Sequence, residues 1–241
     1  AWGGTQFISQ LLGVDGEGEA YAEYWLGAHV NAPSFIKVAK KTHELDSYLK
    51  ENLKESLEVS IAEKFGRLPY LLKVLDVQSM LSIQVHPTKK AAEKGFLLEN
   101  EKGIPLKALN RKYKDDNHKP EIMVALSDFW LLHGFLEKKK LVQLLTSVPE
   151  FNELLSVFGN GDYYGLYKHV MEQPIEESDR LLKPLIDRIV PLYKAGKLEK
   201  SSPDFWAAKA VCSLENEVVT FDRGLYSVYF LNLLNFSKGD S

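Results

Sequence analysis

Cysteine is nearly absent from this sequence: Cys212 is the only one in 241 residues. An intramolecular disulfide and a cysteine-based metal centre are thereby excluded. An excess of either charge is lacking too, with 30 Lys and Arg against 33 Asp and Glu and a formal net charge of -3. That balance gives no reason to expect a nucleic-acid or acidic-membrane partner. No apolar run approaches the length that spans a bilayer, and the opening residues do not resemble a signal peptide. A cytoplasmic location is therefore expected. A phosphate-cradling glycine loop, a nucleophile elbow, an internal repeat and a low-complexity tract are missing as well. What is present, 45% hydrophobic and 26% charged residues, is the composition of an ordinary globular protein.

Three stretches follow one another along the chain. Residues 1 to about 126 are mixed, with a helix expected around Asp46 to Glu58, capped by His43 or Asp46, and a short helical run near Ile61 to Phe65. Strands are expected at Leu68 to Val77, Leu81 to His86 and Glu121 to Leu126. Between the last two, Lys89 to Phe96 reads as a short helix with Lys89, Lys90 and Lys94 facing water, and Glu99 to Asn117 as a polar loop. From Leu136 to about Leu214 the apolar period becomes helical, as in Leu141, Leu144, Leu145 and Val148 and again in Leu181, Leu182, Leu185, Ile186 and Ile189. Phe205 to Leu214 closes that part as a short helix on which Cys212 reads as core. Strand patterns then return at Val218 to Phe221 and, after an Asp222-Arg223-Gly224 turn, at Leu225 to Phe236. A helical block between strand-rich blocks indicates a helical insertion in an all-β domain. The chain has no initiator Met, and the closing turn Lys238 to Ser241 asks for a following strand; a fragment of something longer is the expectation.

Ser82-Ile83-Gln84-Val85-His86-Pro87 carries the chemistry. Strict alternation places Leu81, Ile83 and Val85 on one face of the expected strand and Ser82, Gln84 and His86 on the other. Sheet stability accounts for the apolar row; nothing in it asks for the polar one. Glu121, following His118-Lys119-Pro120, stands where a loop delivers a side chain to the first residue of a strand, since Pro120 cannot occupy a central strand. Gln84, His86 and Glu121 together offer a carbonyl oxygen, an imidazole and a carboxylate. That set can hold a divalent metal such as zinc and leave positions open for a substrate. Taken alone, the row is also compatible with the exposed polar face of an antiparallel strand. Lys73, in the apolar Leu71 to Leu75, is costly there unless paired; it reads as a phosphate contact, a proton carrier or a lysine snorkelling at a strand edge. Trp2, Glu23, Trp25 and His29 line a pocket or pack the domain.

At these residues the chain resembles the zinc-dependent type I mannose-6-phosphate isomerases (phosphomannose isomerases). The resemblance rests on Trp2-Gly3, on Tyr21 to His29, on Leu68 to Leu75, on Leu81 to Pro87 and on Asn117 to Ile122. Its most specific part is Gln-x-His-Pro followed by His-Lys-Pro-Glu. It implies a mainly β fold with inserted α, a cupin (jelly-roll) β-sandwich formed by residues 1–126 and 216–241 and carrying a helical insertion domain at 127–215. It implies interconversion of mannose 6-phosphate and fructose 6-phosphate by enediol proton transfer at one zinc ion per chain. By family pattern Gln84, His86 and Glu121 are zinc ligands. Lys73, His118 and Lys119 are the catalytic candidates, and Ser82, Lys73, Lys119 and Trp2 bind the sugar phosphate. The family's fourth ligand, a His, and a catalytic Arg fall past the turn matching Lys238 to Ser241, and no residue here matches either. A small sugar phosphate is the expected partner, with no nucleic acid and no membrane; the sequence does not give the oligomeric state, and a monomer is the expectation. A non-catalytic sugar-phosphate-binding cupin is the rival from another class. An iron oxygenase of the same fold is disfavoured by a Gln beside a single His.

Overall fold

The computed structural model describes residues 2–14, 18–30, 32–213 and 221–241. The chain divides into two compact units, Ala1–Ser82 and Ile83–Ser241. Among the described residues helix makes up 45% and strand 16%, so in place of the expected mainly β chain they show a mixture of α and β. Short strands account for the shortfall, because apolar alternation yields a ladder only where a second strand supplies hydrogen bonds.

In the first unit, α1 (Phe7–Leu12) is followed by β1 (Glu23–Leu26), β2 (Ala28–His29), β3 (Ala32–Pro33), β4 (Phe35–Val38) and β5 (Lys41–Glu44). The helices α2 (Leu45–Glu51), α3 (Leu53–Leu57) and α4 (Val59–Phe65) and the strand β6 (Leu72–Leu75) complete it. β1 and β6 pair antiparallel with Trp25 opposite Lys73, so the long strand expected over Leu68 to Val77 shrinks to a four-residue ladder plus a bridge from Val77 to Gly3. The Asp76 carboxylate just past β6 accepts the Phe7 N–H (3.0 Å) and the Ile8 N–H (3.3 Å), capping α1 from a distance in sequence. β4 and β5 form a hairpin through Ala39 and Lys40, both at positive φ (48° and 67°), the backbone twist two-residue hairpin turns require. The helix expected from Asp46 to Glu58 is broken at Asn52 into α2 and α3. Its cap position is Glu44, with no side-chain bond; His43 sits in β5 opposite Ile36, and Asp46 pairs instead with Lys50 at 3.2 Å.

The second unit opens on an irregular stretch into α5 (Lys89–Glu101), which Thr88 caps by accepting the Ala91 N–H. β7 (Phe129–Phe135), α6 (Lys138–Ser147), a 3-10 turn at Pro149–Phe151, α7 (Leu154–Phe158), α8 (Tyr163–Glu172), α9 (Ile175–Lys194), α10 (Pro203–Cys212), α11 (Gly224–Phe230) and β8 (Leu231–Phe236) follow. The helical periodicity holds: Leu141, Leu145, Leu182, Leu185 and Ile189 are fully buried in one cluster with Phe151, Leu154, Phe158 and Leu166. Phe151 is packed by Tyr226, Tyr229 and Phe230 at ring separations of 5.5, 5.1 and 6.1 Å. Those last three belong to α11, which replaces the first half of the strand expected at Leu225 to Phe236. A continuous apolar run carries no period to separate a buried helix from a buried strand. Here Asp222 starts the helix by accepting the Gly224 and Leu225 N–H groups, and only Leu231–Phe236 pairs, with β7. The strand expected at Val218 to Phe221 falls almost wholly outside the described residues. Cys212, expected in the core, is exposed at the end of α10.

Ion pairs rim this core. Arg188 of α9 holds Glu150 at 2.9 and 3.0 Å and reaches Asp204 of α10 at 3.3 Å, while the Tyr229 hydroxyl donates to Asp204 (2.7 Å). Hydrogen bonding to Arg188 holds the Glu150 carboxyl below its usual value of 4.5, and Arg180 does the same for Glu153. A carboxylate with a depressed folded pKa binds fewer protons when folded. Its stabilisation is therefore complete above the unfolded value near 4.5 and is lost as pH falls through the folded value. Thermal unfolding followed from about pH 6 to about pH 3 is expected to show a falling melting temperature below 4.5. Arg188→Gln is expected to flatten that slope.

Candidate metal centre

Two of the residues expected to hold a metal, His86 and Glu121, lie side by side in the second unit. His86 precedes α5 by three residues, and Glu121 ends the long connection that leaves α5. The His86 Nε2 and Glu121 Oε2 atoms are 3.8 Å apart. On the other side of the imidazole, Nδ1 lies 2.5 Å from the Lys119 carbonyl oxygen. Both side chains are accessible, 30% and 58% exposed, so an ion held there would be open to solvent and to a ligand.

Sequence reasoning read the connection between α5 and Glu121 as a polar loop; its order comes from Arg111. The Arg111 side chain is fully buried and its guanidinium donates to the carbonyls of Ile104 (2.6 Å) and Tyr113 (2.7 Å) and to Asn100 Oδ1 (2.8 Å). Its charge is met by Glu99 at 3.2 Å, and its plane lies over the Phe96 ring. Glu99 in turn accepts the Tyr113 and Lys112 N–H groups, and these bonds, Tyr113 first, hold its carboxyl below the usual glutamate range. Gly95 completes the seat, for a Cβ there would collide with the Tyr113 ring. Helix α5 therefore continues past the expected end at Phe96 to Glu101, because its last turn is the platform on which this loop is laid. Beyond Tyr113 the loop is tied by Asp115, which accepts the Asn117 N–H (2.9 Å) and pairs with Lys119 (3.4 Å), and by Lys89, which donates to the Asp116 carbonyl (2.9 Å).

The expected strands at Leu81 to His86 and Glu121 to Leu126 do not form a ladder among the described residues. Both stretches are irregular connections, and the apolar row expected to face a core is exposed: 40% at Leu81, 41% at Ile83, 82% at Val85 and 94% at Ile122. Ala125 is the exception; it is buried and exchanges backbone bonds with Gly239 and Asp240. Side-chain bonds to carbonyls, not a sheet, bring His86 to Glu121. Gln84 is exposed two residues before His86, and His118 and Lys119 are exposed on the loop. Trp2, Lys73 and Ser82 belong to the first unit: Trp2 accepts the Gln78 and Ser79 N–H groups on its carbonyl, Lys73 is exposed on β6, and Ser82 is exposed at the unit's end. Trp25 packs edge-on against His29 at 4.8 Å and donates to Glu23, a packed cluster on β1 and β2.

Residues 1–138 match the family model described as phosphomannose isomerase type I, catalytic domain. The chain belongs to the type I phosphomannose isomerase family. Its whole length aligns at 34% identity with the mannose-6-phosphate isomerase of Salmonella typhimurium and at 31% with that of Escherichia coli, covering 60% of each relative. The chain thus spans about 60% of the length of the curated relatives it matches. Among solved structures, the Salmonella typhimurium enzyme bound to fructose 6-phosphate and zinc is similar at a TM-score of 0.83 and 32% identity, over 99% of this chain and 59% of that one. A point variant of the same Salmonella enzyme reaches a TM-score of 0.84 at 31% identity, with the same coverage.

Within this family framework, sequence reasoning missed Arg111, Glu99 and Lys89. A lone Arg in a polar stretch carries no periodic signal, and Lys89 reads as one of three solvated lysines until Asp116 is seen beside it. The ordering role of Arg111 has a measurable consequence. Arg111→Met leaves the Ile104 and Tyr113 carbonyls without their donor and is expected to cost about 3 kcal/mol of stability, read by urea denaturation. It is also expected to speed amide exchange over residues 112–121, whereas α9 stays protected.

Proposed function

We propose that this chain carries the metal-binding and substrate-binding part of a mannose-6-phosphate isomerase, a cupin domain of residues 1–126 and 216–241 with a helical insertion at 127–215. The observation that carries the reading is the His86–Glu121 pair, with its imidazole fixed from behind by the Lys119 carbonyl. His86 Nε2 and Glu121 Oε2, 3.8 Å apart, would both hold a zinc ion, for which imidazole nitrogen and carboxylate oxygen are ordinary ligands. Among the described residues no group of three His, Cys, Asp or Glu side chains is close enough to hold a metal; the third donor in this reading is the amide oxygen of Gln84. The donor set is nitrogen and oxygen only, which suits zinc and leaves positions for sugar oxygens. The solved relative with fructose 6-phosphate and zinc supports both ligands.

Isomerisation of an aldose to a ketose phosphate moves a proton between adjacent carbons through an enediol. Bound zinc supplies electrophilic polarisation of the sugar oxygens. The protein's own groups do the rest. Glu121 and His86, with Gln84, would hold the metal. Ser82 donates a hydrogen bond to a sugar oxygen, and Lys73 and Lys119 bind the phosphate as compact cations or hold the migrating proton near a hydroxyl. His118, exposed beside Lys119, assists ring opening as a proton donor, and Trp2 offers an apolar surface to the sugar ring.

No helix among the described residues is long and apolar enough to cross a membrane. Zinc titration of the chain by chelator competition, with mannose 6-phosphate to fructose 6-phosphate turnover measured beside it, tests the proposal. One zinc per chain is expected, and His86→Ala is expected to abolish binding and any turnover together. Stoichiometric zinc retained by His86→Ala contradicts the metal assignment.

A further inference from the structure

In the helical part of the second unit, the end of α8, the start of α9 and one side of α7 enclose a cleft of about 600 Å³, a size common to small-ligand sites. Neither His86 nor Glu121 lines it. Gln173, which joins α8 to α9, lines it and is only 8% exposed. Its side chain is held in one orientation. The fully buried Tyr226 hydroxyl gives its proton to the Ser178 carbonyl (3.5 Å) and so accepts from Gln173 Nε2 (2.9 Å). Fixing the amide nitrogen fixes the amide oxygen on the other branch. That oxygen accepts no hydrogen bond among the described residues, yet it is not sealed off as a buried orphan. In a residue this buried, it opens on the cleft. An acceptor placed in this way calls for a ligand that donates.

The surroundings specify the charge of that donor. Glu153, Glu172 and Glu177 line the same cleft. Arg180 forks across Glu153 at 2.5 and 3.1 Å and reaches Glu177 through Nε at 2.9 Å, while Lys168 pairs with Glu172 at 3.9 Å. Three carboxylates thus face two cations that are already engaged, so a cation is drawn in and an anion is repelled. The negative dipole end of α8 adds to this, whereas Glu176 and Glu177 answer the positive end of α9 in its own first turn. A metal ion does not fit, for among the described residues no group of three His, Cys, Asp or Glu side chains could hold one. A cation that binds through N–H groups remains. Val157 and Pro174 give an apolar wall for a hydrocarbon chain. We propose that the cleft is a second ligand site, for a primary ammonium on an aliphatic chain that donates to Gln173 Oε1 and Glu177. A free diamine and a lysine side chain share that chemistry.

The test is nitrogen–proton correlation NMR of the chain, titrated at constant ionic strength with 1,5-diaminopentane, with Nα-acetyl-lysine amide and with tetramethylammonium. The diamine is expected to move the Gln173 side-chain amide signals saturably. A matching response to the lysine amide extends the site to lysine side chains, and its absence restricts the site to free diamines. Tetramethylammonium has the same charge on each nitrogen and no N–H, and is expected to leave the signals in place. Glu177→Gln keeps an acceptor for Arg180 and lies on an exposed side chain; it is expected to weaken diamine binding about tenfold with the melting temperature unchanged. Glu172→Gln, on α8, carries the same expectation and serves as the second variant. No saturable shift with either amine up to about 10 mM, an equal response to tetramethylammonium, or undiminished affinity in both variants overturns the site.

Discussion

A buried guanidinium governs the geometry of the candidate metal centre. Arg111 carries its positive charge fully out of water, and its guanidinium nitrogens are all engaged by α5 or by the loop itself. A charge in that position is tolerated only when its hydrogen bonds are complete, so the loop has one arrangement that satisfies it. Residues 104–113 are thereby laid along the last turns of α5, with the Tyr113 ring against the bare face of Gly95. The stretch from there to Pro120 inherits that placement and is pinned by Asp115 and Lys89. Glu121 comes to stand beside His86 as the end of this chain of constraints. The same logic explains why two exposed side chains on segments without a ladder hold a defined relation.

The helical part of the second unit is stabilised differently. Its core is apolar, with Phe151, Tyr226, Tyr229 and Phe230 closing around one another, and its charges stay at the rim in Arg188 and Arg180 pairs. Burial of this kind is insensitive to pH, and the rim carboxylates are what pH acts on. Each region thus has its own failure mode: loss of a single cation unseats the metal-centre loop, and acid erodes the rim of the helical part.

How much could be read from the residues follows from the same physics. α9 was legible because Leu181, Leu182, Leu185, Ile186 and Ile189 repeat at the helical period along a face that is buried. Of the candidate site, the approach of His86 to Glu121 was legible, because those are residue types that sheet stability does not ask for. The strands carrying them were overread, since alternation in Leu81 to Val85 describes a face that can pair, and pairing needs a neighbour that sequence spacing does not supply. The run from Leu225 to Phe230 was misread for the opposite reason, as an apolar segment with no period at all. Arg111 and Glu99 were invisible because their meaning lies in backbone groups and side chains many residues away along the chain. Lys73, Ser82 and Trp2 were read for their chemistry, and their roles stand as part of the proposed function.

If the metal pair is made by the loop's anchoring and not by the ligands alone, removing the anchor must weaken the metal. The direct measurement is the zinc dissociation constant of Arg111→Met against the wild type, by chelator competition at a temperature where both are folded. Neither the ligands nor their neighbours in sequence are altered, so affinity is expected to weaken at least about tenfold, which is roughly 1.4 kcal/mol. Equal affinity in the two proteins contradicts the anchoring of the metal pair by Arg111.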